Sequence, residues 1–247
     1  MTEALLLSNA RAPGLGYLDH VRDTISEVLR GRDRLLFIPF ASANADLHTE
    51  TMRDSLARIG VRVDGAHLAR DLCQAIAAAE AVFVGGGNSF RLLKRMREAG
   101  ALKPLRERAL DGMPYFGASA GSNLACASIR TTNDMPIVSP GSFEALGLIP
   151  FQVNPHYPYT ATPPEMHAGE SRDQRISEFL DENDVPVLGL PEGTWLRVSG
   201  TTASTGGVAH TRLFRRGAEP QELPPGSDVS TLMGLPVGFD TNRQALS

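Results

Sequence analysis

Short, wholly apolar runs alternate along the first two thirds of the chain with longer segments whose apolar residues recur every three or four positions. Leu5-Leu6-Leu7, Leu35-Leu36-Phe37-Ile38-Pro39 and Ala81-Val82-Phe83-Val84 contain no polar position, the pattern of strands covered on both faces. Val61 to Leu68 and Pro114-Tyr115-Phe116-Gly117 read as two further strands. Tyr17 to Leu29 carries Val21, Ile25, Val28 and Leu29 at helical spacing. Asp46 to Ile59, Asp71 to Ala79 (with Asp71 as N-cap) and Ser89 to Ala99 read as helices. After Arg175 the pattern recurs once, with a helix over Ile176 to Leu180 and a strand over Val185 to Leu190. Trp195 to Val198 and Thr211 to Phe214 flank a region rich in Gly, Ser and Thr, which predicts an antiparallel hairpin or meander at a sheet edge. Strands alternating with helices predict an α/β fold, a three-layer sandwich around a mainly parallel sheet. No segment marks a boundary, so a single domain over 1–247 is expected. The Pro- and Gly-rich stretch 219–247 is expected to form an irregular, partly mobile tail.

Composition narrows the function. Of 247 residues, 42% are hydrophobic and 21% charged, ordinary for a folded chain and too apolar for a disordered one. A net charge of −4 offers no basic face for phosphates, so no nucleic-acid partner is expected. No apolar run approaches the roughly 20 residues that span a bilayer, and Met1 to Ala10 has no basic leader, which predicts a cytoplasmic protein without membrane association. Cys73 and Cys126 are too few for a disulfide framework and lack metal-ligand spacing.

The sharpest chemical feature is Gly117-Ala118-Ser119-Ala120-Gly121, which follows a strand and opens a helix-like run. A nucleophilic serine on so tight a turn needs small neighbours, both for the turn to close and for substrate to approach. A serine also needs a base. His156 stands at the end of the short strand Phe151 to Pro155, where a rim position suits that role. Two carboxylates could orient the imidazole: Asp134, in the polar loop Thr131 to Pro136, and Glu192, just past a buried strand in Leu190-Pro191-Glu192-Gly193. The strand-end position leans towards Glu192, and both remain candidates. Gly85-Gly86-Gly87-Asn88 follows a buried strand without the Lys-Ser/Thr ending of a P-loop. The amides of Gly87 and Ala120 are therefore the expected oxyanion donors.

Several of these segments together resemble the peptidase E family, the α-aspartyl dipeptidases, serine peptidases related to cyanophycinase. The resemblance is carried by Ile38-Pro39-Phe40-Ala41, Val84 to Asn88, Gly117 to Asn123, Arg130 to Pro136, Asn154-Pro155-His156, Gly169 to Ile176 and Gly189 to Gly193, in family order. It implies a fold like the class I glutamine amidotransferases and hydrolysis of dipeptides with an N-terminal aspartate, without metal or organic cofactor. It also implies Ser119 as nucleophile, His156 as base, Asp134 or Glu192 as the acid, and Arg172 as the group that binds the substrate aspartate. Glu170 is the candidate for the substrate's free α-amino group, and Asn88 a further substrate contact. The loop from Tyr157 to Ala168, with its own prolines, is expected to shape the pocket. The expected partners are small Asp-X peptides, with the chain a monomer or homodimer. The rival readings are hydrolysis of an aspartate-rich polymer and a non-catalytic binding protein on the same fold.

Overall fold

A computed structural model describes residues 1–12, 14–158 and 170–241. Most of the 157–168 loop, and with it the expected shaping of the pocket by its prolines, lies outside the described residues.

The strands are β1 (Glu3–Leu7), β2 (Arg34–Ile38), β3 (Arg62–Gly65), β4 (Val82–Val84), β5 (Tyr115–Ala118), β6 (Gln152–Tyr157), β7 (Val187–Pro191), β8 (Thr194–Ser199), β9 (Thr202–Gly207), β10 (Thr211–Phe214) and β11 (Gln221–Leu223). Seven of them form one sheet in the order β3-β2-β4-β5-β1-β8-β9. The first five run parallel, and β8 and β9 are antiparallel. Because side chains alternate across a strand, the apolar runs feed both faces. Leu6, Ile38, Val84 and Tyr115 join one core, and Leu5, Phe37, Phe83 and Phe116 the other. The helices α1 (Arg22–Leu29) and α2 (Ala45–Ala57) cover the Phe face with Ile25, Val28, Met52 and Leu56. The helices α3 (Leu72–Ala78), α4 (Ser89–Glu98), α5 (Leu102–Leu110) and α6 (Ala120–Ala125) cover the other with Ile76, Leu92, Leu93, Leu105 and Leu124. This is the expected three-layer α/β arrangement around a mainly parallel sheet.

Three features differ from the sequence reading. The strand bearing His156 does not join the main sheet. Parallel β6 and β7 form a second sheet with β10 and β11, in the order β11-β10-β7-β6. One face of this sheet contributes Val153, Leu188, Leu190 and Leu213 to the main core, and the other packs Tyr157, Val187 and Phe214 against α7 (Arg172–Glu182). The antiparallel edge hairpin expected from this region is present as β8–β9, but Thr211–Phe214 does not belong to that edge. The Gly-, Ser- and Thr-rich segment is itself β9, and Thr211–Phe214 pairs with β7 and β11 instead. The residues after Glu219 are anchored up to Thr241. Val229 and Leu232 are buried, Arg130 makes a bidentate pair with Asp240 at 2.6 and 3.0 Å, and Phe239 meets Phe179. No helix among the described residues is long and apolar enough to cross a membrane.

Candidate active site

Ser119 sits at the carboxyl end of β5, immediately before α6, with φ 53 and ψ −109. A non-glycine residue there is strained, and close packing holds it. A side chain on Gly121 would fall 2.1 Å from the Val84 carbonyl oxygen, and one on Gly117 would fall 2.6 Å from Gly121. The Ser122 hydroxyl donates to the carbonyls of Leu7 and Gly117 at 2.7 and 2.9 Å, Ser119 N–H donates to Leu7, and Tyr115 Oη donates to Gly121. The elbow is thereby tied to β1, β4 and β5. Gly86 packs against it, since a Cβ there would lie 3.3 Å from Ser119 Cβ. Gly87 turns with φ 135, and a Cβ would meet the Ala41 carbonyl oxygen at 2.5 Å. Among the described residues the Gly87 N–H finds no backbone or side-chain acceptor. Ala120 opens α6, so its N–H has no intrahelical acceptor.

His156 reaches Ser119 from the small sheet. The ladder between β6 and β7 slips between Pro155 and Tyr157, and His156 is the extra residue, with φ 55. Such a bulge re-aims a side chain. The His156 N–H leaves the ladder and donates to Ser8 Oγ at 3.0 Å, while the Ser8 hydroxyl donates to the Leu190 carbonyl at 2.8 Å. His156 Nε2 lies 3.0 Å from Ser119 Oγ, and Nδ1 lies 3.0 Å from Glu192 Oε1. A carboxylate only accepts, so Nδ1 carries the proton and Nε2 is free to accept from the serine hydroxyl. Glu192 occupies the turn between β7 and β8. Gly193 follows with φ 78, and its N–H donates to Asn9 Oδ1 at 2.9 Å. The Ser119 hydroxyl, the His156 imidazole and the Glu192 carboxylate thus meet in the arrangement of a catalytic triad, where the ends of β1, β5, β6 and β7 converge.

The second carboxylate candidate lies elsewhere. Asp134 Oδ2 accepts from the Ser89 N–H at 2.7 Å and from the Thr132 hydroxyl at 3.0 Å. It serves the start of α4, where an anion is favoured by the unsatisfied N–H groups. Asn88 caps the same helix: its Oδ1 accepts from Arg91 N–H, and its Nδ2 donates to the Met135 carbonyl at 2.9 Å. Its side chain is engaged at both ends rather than turned to a ligand. Arg172 is the first residue of α7, behind a capping box of Ser171 and Gln174, so this helix begins four residues before Ile176. It is half-buried, and Nη1 donates to Asn154 Oδ1 at 3.0 Å. Among the described residues no carboxylate pairs with it. Burial, and then the Arg175 charge, push its pKa down. Glu170 is exposed and stands 3.8 Å from Arg175. Among the described residues no group of three or more His, Cys, Asp or Glu stands together as a metal site would require.

The family description "Peptidase family S51" matches residues 4–206. The chain belongs to peptidase family S51. It is 52% identical over 241 residues to a peptidase E of Streptomyces coelicolor, covering 98% of this chain and 99% of the relative. It is 48% identical over 227 residues to a peptidase E of Salmonella typhimurium, covering 91% and 98%. The crystal structure of a peptidase from an acI-B1 actinobacterium has the same fold, with a TM-score of 0.68, 17% identity and coverage of 93% and 96%. The chain is accordingly a serine-type peptidase of family S51.

Three further residues support this candidate S51 site from outside its motifs. Ser8 and Asn9, just beyond β1, hold the His156 bulge and the Glu192 turn. Asn154, buried on β6, holds Arg172. The available signal for Ser8 and Asn9 was a polar pair directly after an apolar strand, in the rim position where α/β sheets carry their sites.

Proposed function

We propose that this peptidase hydrolyses dipeptides beginning with aspartate, through an acyl-enzyme on Ser119. The observation that carries the reading is the half-buried Arg172, without a carboxylate partner among the described residues and joined through Asn154 to the strand that bears His156. His156 takes the proton of Ser119 as the hydroxyl attacks the scissile carbonyl. The N–H groups of Gly87 and Ala120 receive the oxyanion, and Glu192 stabilises the imidazolium. His156 then protonates the leaving amine, and water repeats the sequence on the ester. Arg172 takes the substrate's side-chain carboxylate as a planar, paired donor. Glu170, held only loosely by Arg175, receives the α-ammonium group. The name peptidase E on relatives that share about half of the sequence supports peptidase activity on this scaffold, and the aspartate preference rests on Arg172. The same proposal treats the chain as one domain acting on small peptides in the cytoplasm, as a monomer or homodimer.

The test is a dipeptide panel of Asp-X, Asn-X, Glu-X and N-blocked Asp-X. Asp-X is expected to exceed Asn-X by roughly 10⁴ in kcat/KM, since the uncharged analogue leaves a guanidinium unpaired. Arg172→Ala is expected to lose Asp-X turnover and to narrow that gap. A variant that keeps the full preference assigns the carboxylate to another residue. Ser119→Ala is expected to lose about 10⁶ in kcat.

A further inference from the structure

Asn154 is 2% exposed, and its amide is fully engaged. Nδ2 donates to the Thr131 carbonyl at 2.8 Å and to Asn133 Oδ1 at 3.3 Å. The orientation of Asn133 follows from its own Nδ2, which donates to the Pro155 carbonyl at 3.3 Å. The Asn154 amide therefore has one permitted orientation. Reversed, it would set Oδ1 against the Thr131 carbonyl and Nδ2 against the guanidinium. Oδ1 must face Arg172.

A neutral acceptor at this position has a consequence that an acidic one would not. A carboxylate would also aim the arginine, but it would neutralise the charge from inside. An amide takes one of the five guanidinium N–H donors and leaves both the positive charge and the rest of the fork free. We propose that Asn154 is a specificity-determining positioning residue. Its amide aims Arg172 while keeping the guanidinium charge available for the side-chain carboxylate of an N-terminal aspartate. The proposal rests on the reading of Arg172 given above. It adds that selectivity depends on the neutrality of position 154 as well as on the arginine. Asn154 and His156 lie two residues apart on one strand, which links the carboxylate anchor to the general base.

The experiment compares kcat and KM for Asp-X and Asn-X in the wild type, Asn154→Asp, Asn154→Ala and Arg172→Ala, with Tm recorded for each. In Asn154→Asp the substrate carboxylate competes with an internal one. KM for Asp-X is expected to rise about 100-fold with kcat nearly unchanged, and kcat/KM for Asn-X to rise, because a carboxylate paired with Arg172 removes the penalty for a neutral substrate. Asn154→Ala removes the aiming bond without adding charge. It is expected to raise KM for Asp-X about tenfold and to spare Asn-X, and it decides the question if Asn154→Asp does not fold. Equal losses on both substrates, or an undiminished Asp-X preference in Asn154→Asp while Arg172→Ala loses it, overturn the role of Asn154. If Arg172→Ala itself keeps the preference, the reading of Arg172 fails first and the role of Asn154 falls with it.

Discussion

The two carboxylates near the site separate cleanly under substitution. In the proposed mechanism, Glu192→Gln removes the charge that faces the imidazolium formed in each transition state. At the observed 3.0 Å a unit charge pair is worth about 1.4 kcal/mol in bulk water and about 5.5 kcal/mol at an effective dielectric of 20. The His156 and Glu192 side chains are 45% and 49% exposed, so the water end of that range applies. A glutamine oxygen can still accept from Nδ1–H, which preserves the productive tautomer. The expected loss in kcat is therefore about 10- to 50-fold, well short of the roughly 10⁴ that neutralising a buried triad aspartate costs. Asp134→Asn leaves His156 untouched and weakens the bond to the Ser89 N–H. It should change kcat less than about threefold and cost about 1 kcal/mol of stability, a Tm shift of about 2–4 °C. Steady-state turnover of an Asp-X dipeptide at saturation, with calorimetric Tm on the same preparations, reads both effects. If Asp134→Asn cuts kcat as deeply as Glu192→Gln at unchanged Tm, the pairing of His156 with Glu192 is not the one used in turnover.

Ser8→Ala orphans the buried Leu190 carbonyl and the N–H of the His156 bulge; kcat should fall about tenfold or more with KM little changed, and Ser8→Thr should restore much of it. Equal activity in Ser8→Ala would show that the bulge holds its shape without the hydroxyl. Gly121→Ala drives a methyl into the backbone of β4 and should cost about 3 kcal/mol or more, together with most of the activity, read by urea unfolding and the dipeptide assay. Burial pushes the Cys126 thiol up to about 12, so at pH 8 the native protein should yield only Cys73 to a thiol reagent, and modification of both cysteines before unfolding would contradict the packing.

The local chain dictates much of this molecule. Runs such as Leu5–Leu7 and Val82–Val84 have no polar face to turn to water, so they form strands inside a layered α/β core. Gly117 to Gly121 can form only a tight elbow, because a side chain at either glycine would strike backbone. Helix α5 tolerates its proline because Pro104 falls in the first turn, where no intrahelical N–H bond is lost. Other features belong to contacts remote in sequence. An apolar run states that a strand is buried, not which sheet it joins. The separation of β6 and β7 from the main sheet was therefore invisible, as was the pairing of β9 with β8, since its Thr, Ser and Gly composition reads equally as a turn. Asp134 and Glu192 share the same sequence credentials, an acid in a polar loop beyond a strand. What parts them is 184 residues of separation closed by Asn9 and Gly193, and 45 residues closed by Ser89 and Asp134. Hydrogen bonds of that range arise only after the core has packed, so the sequence singles out Ser119 while the tertiary structure sets Glu192, and not Asp134, against His156.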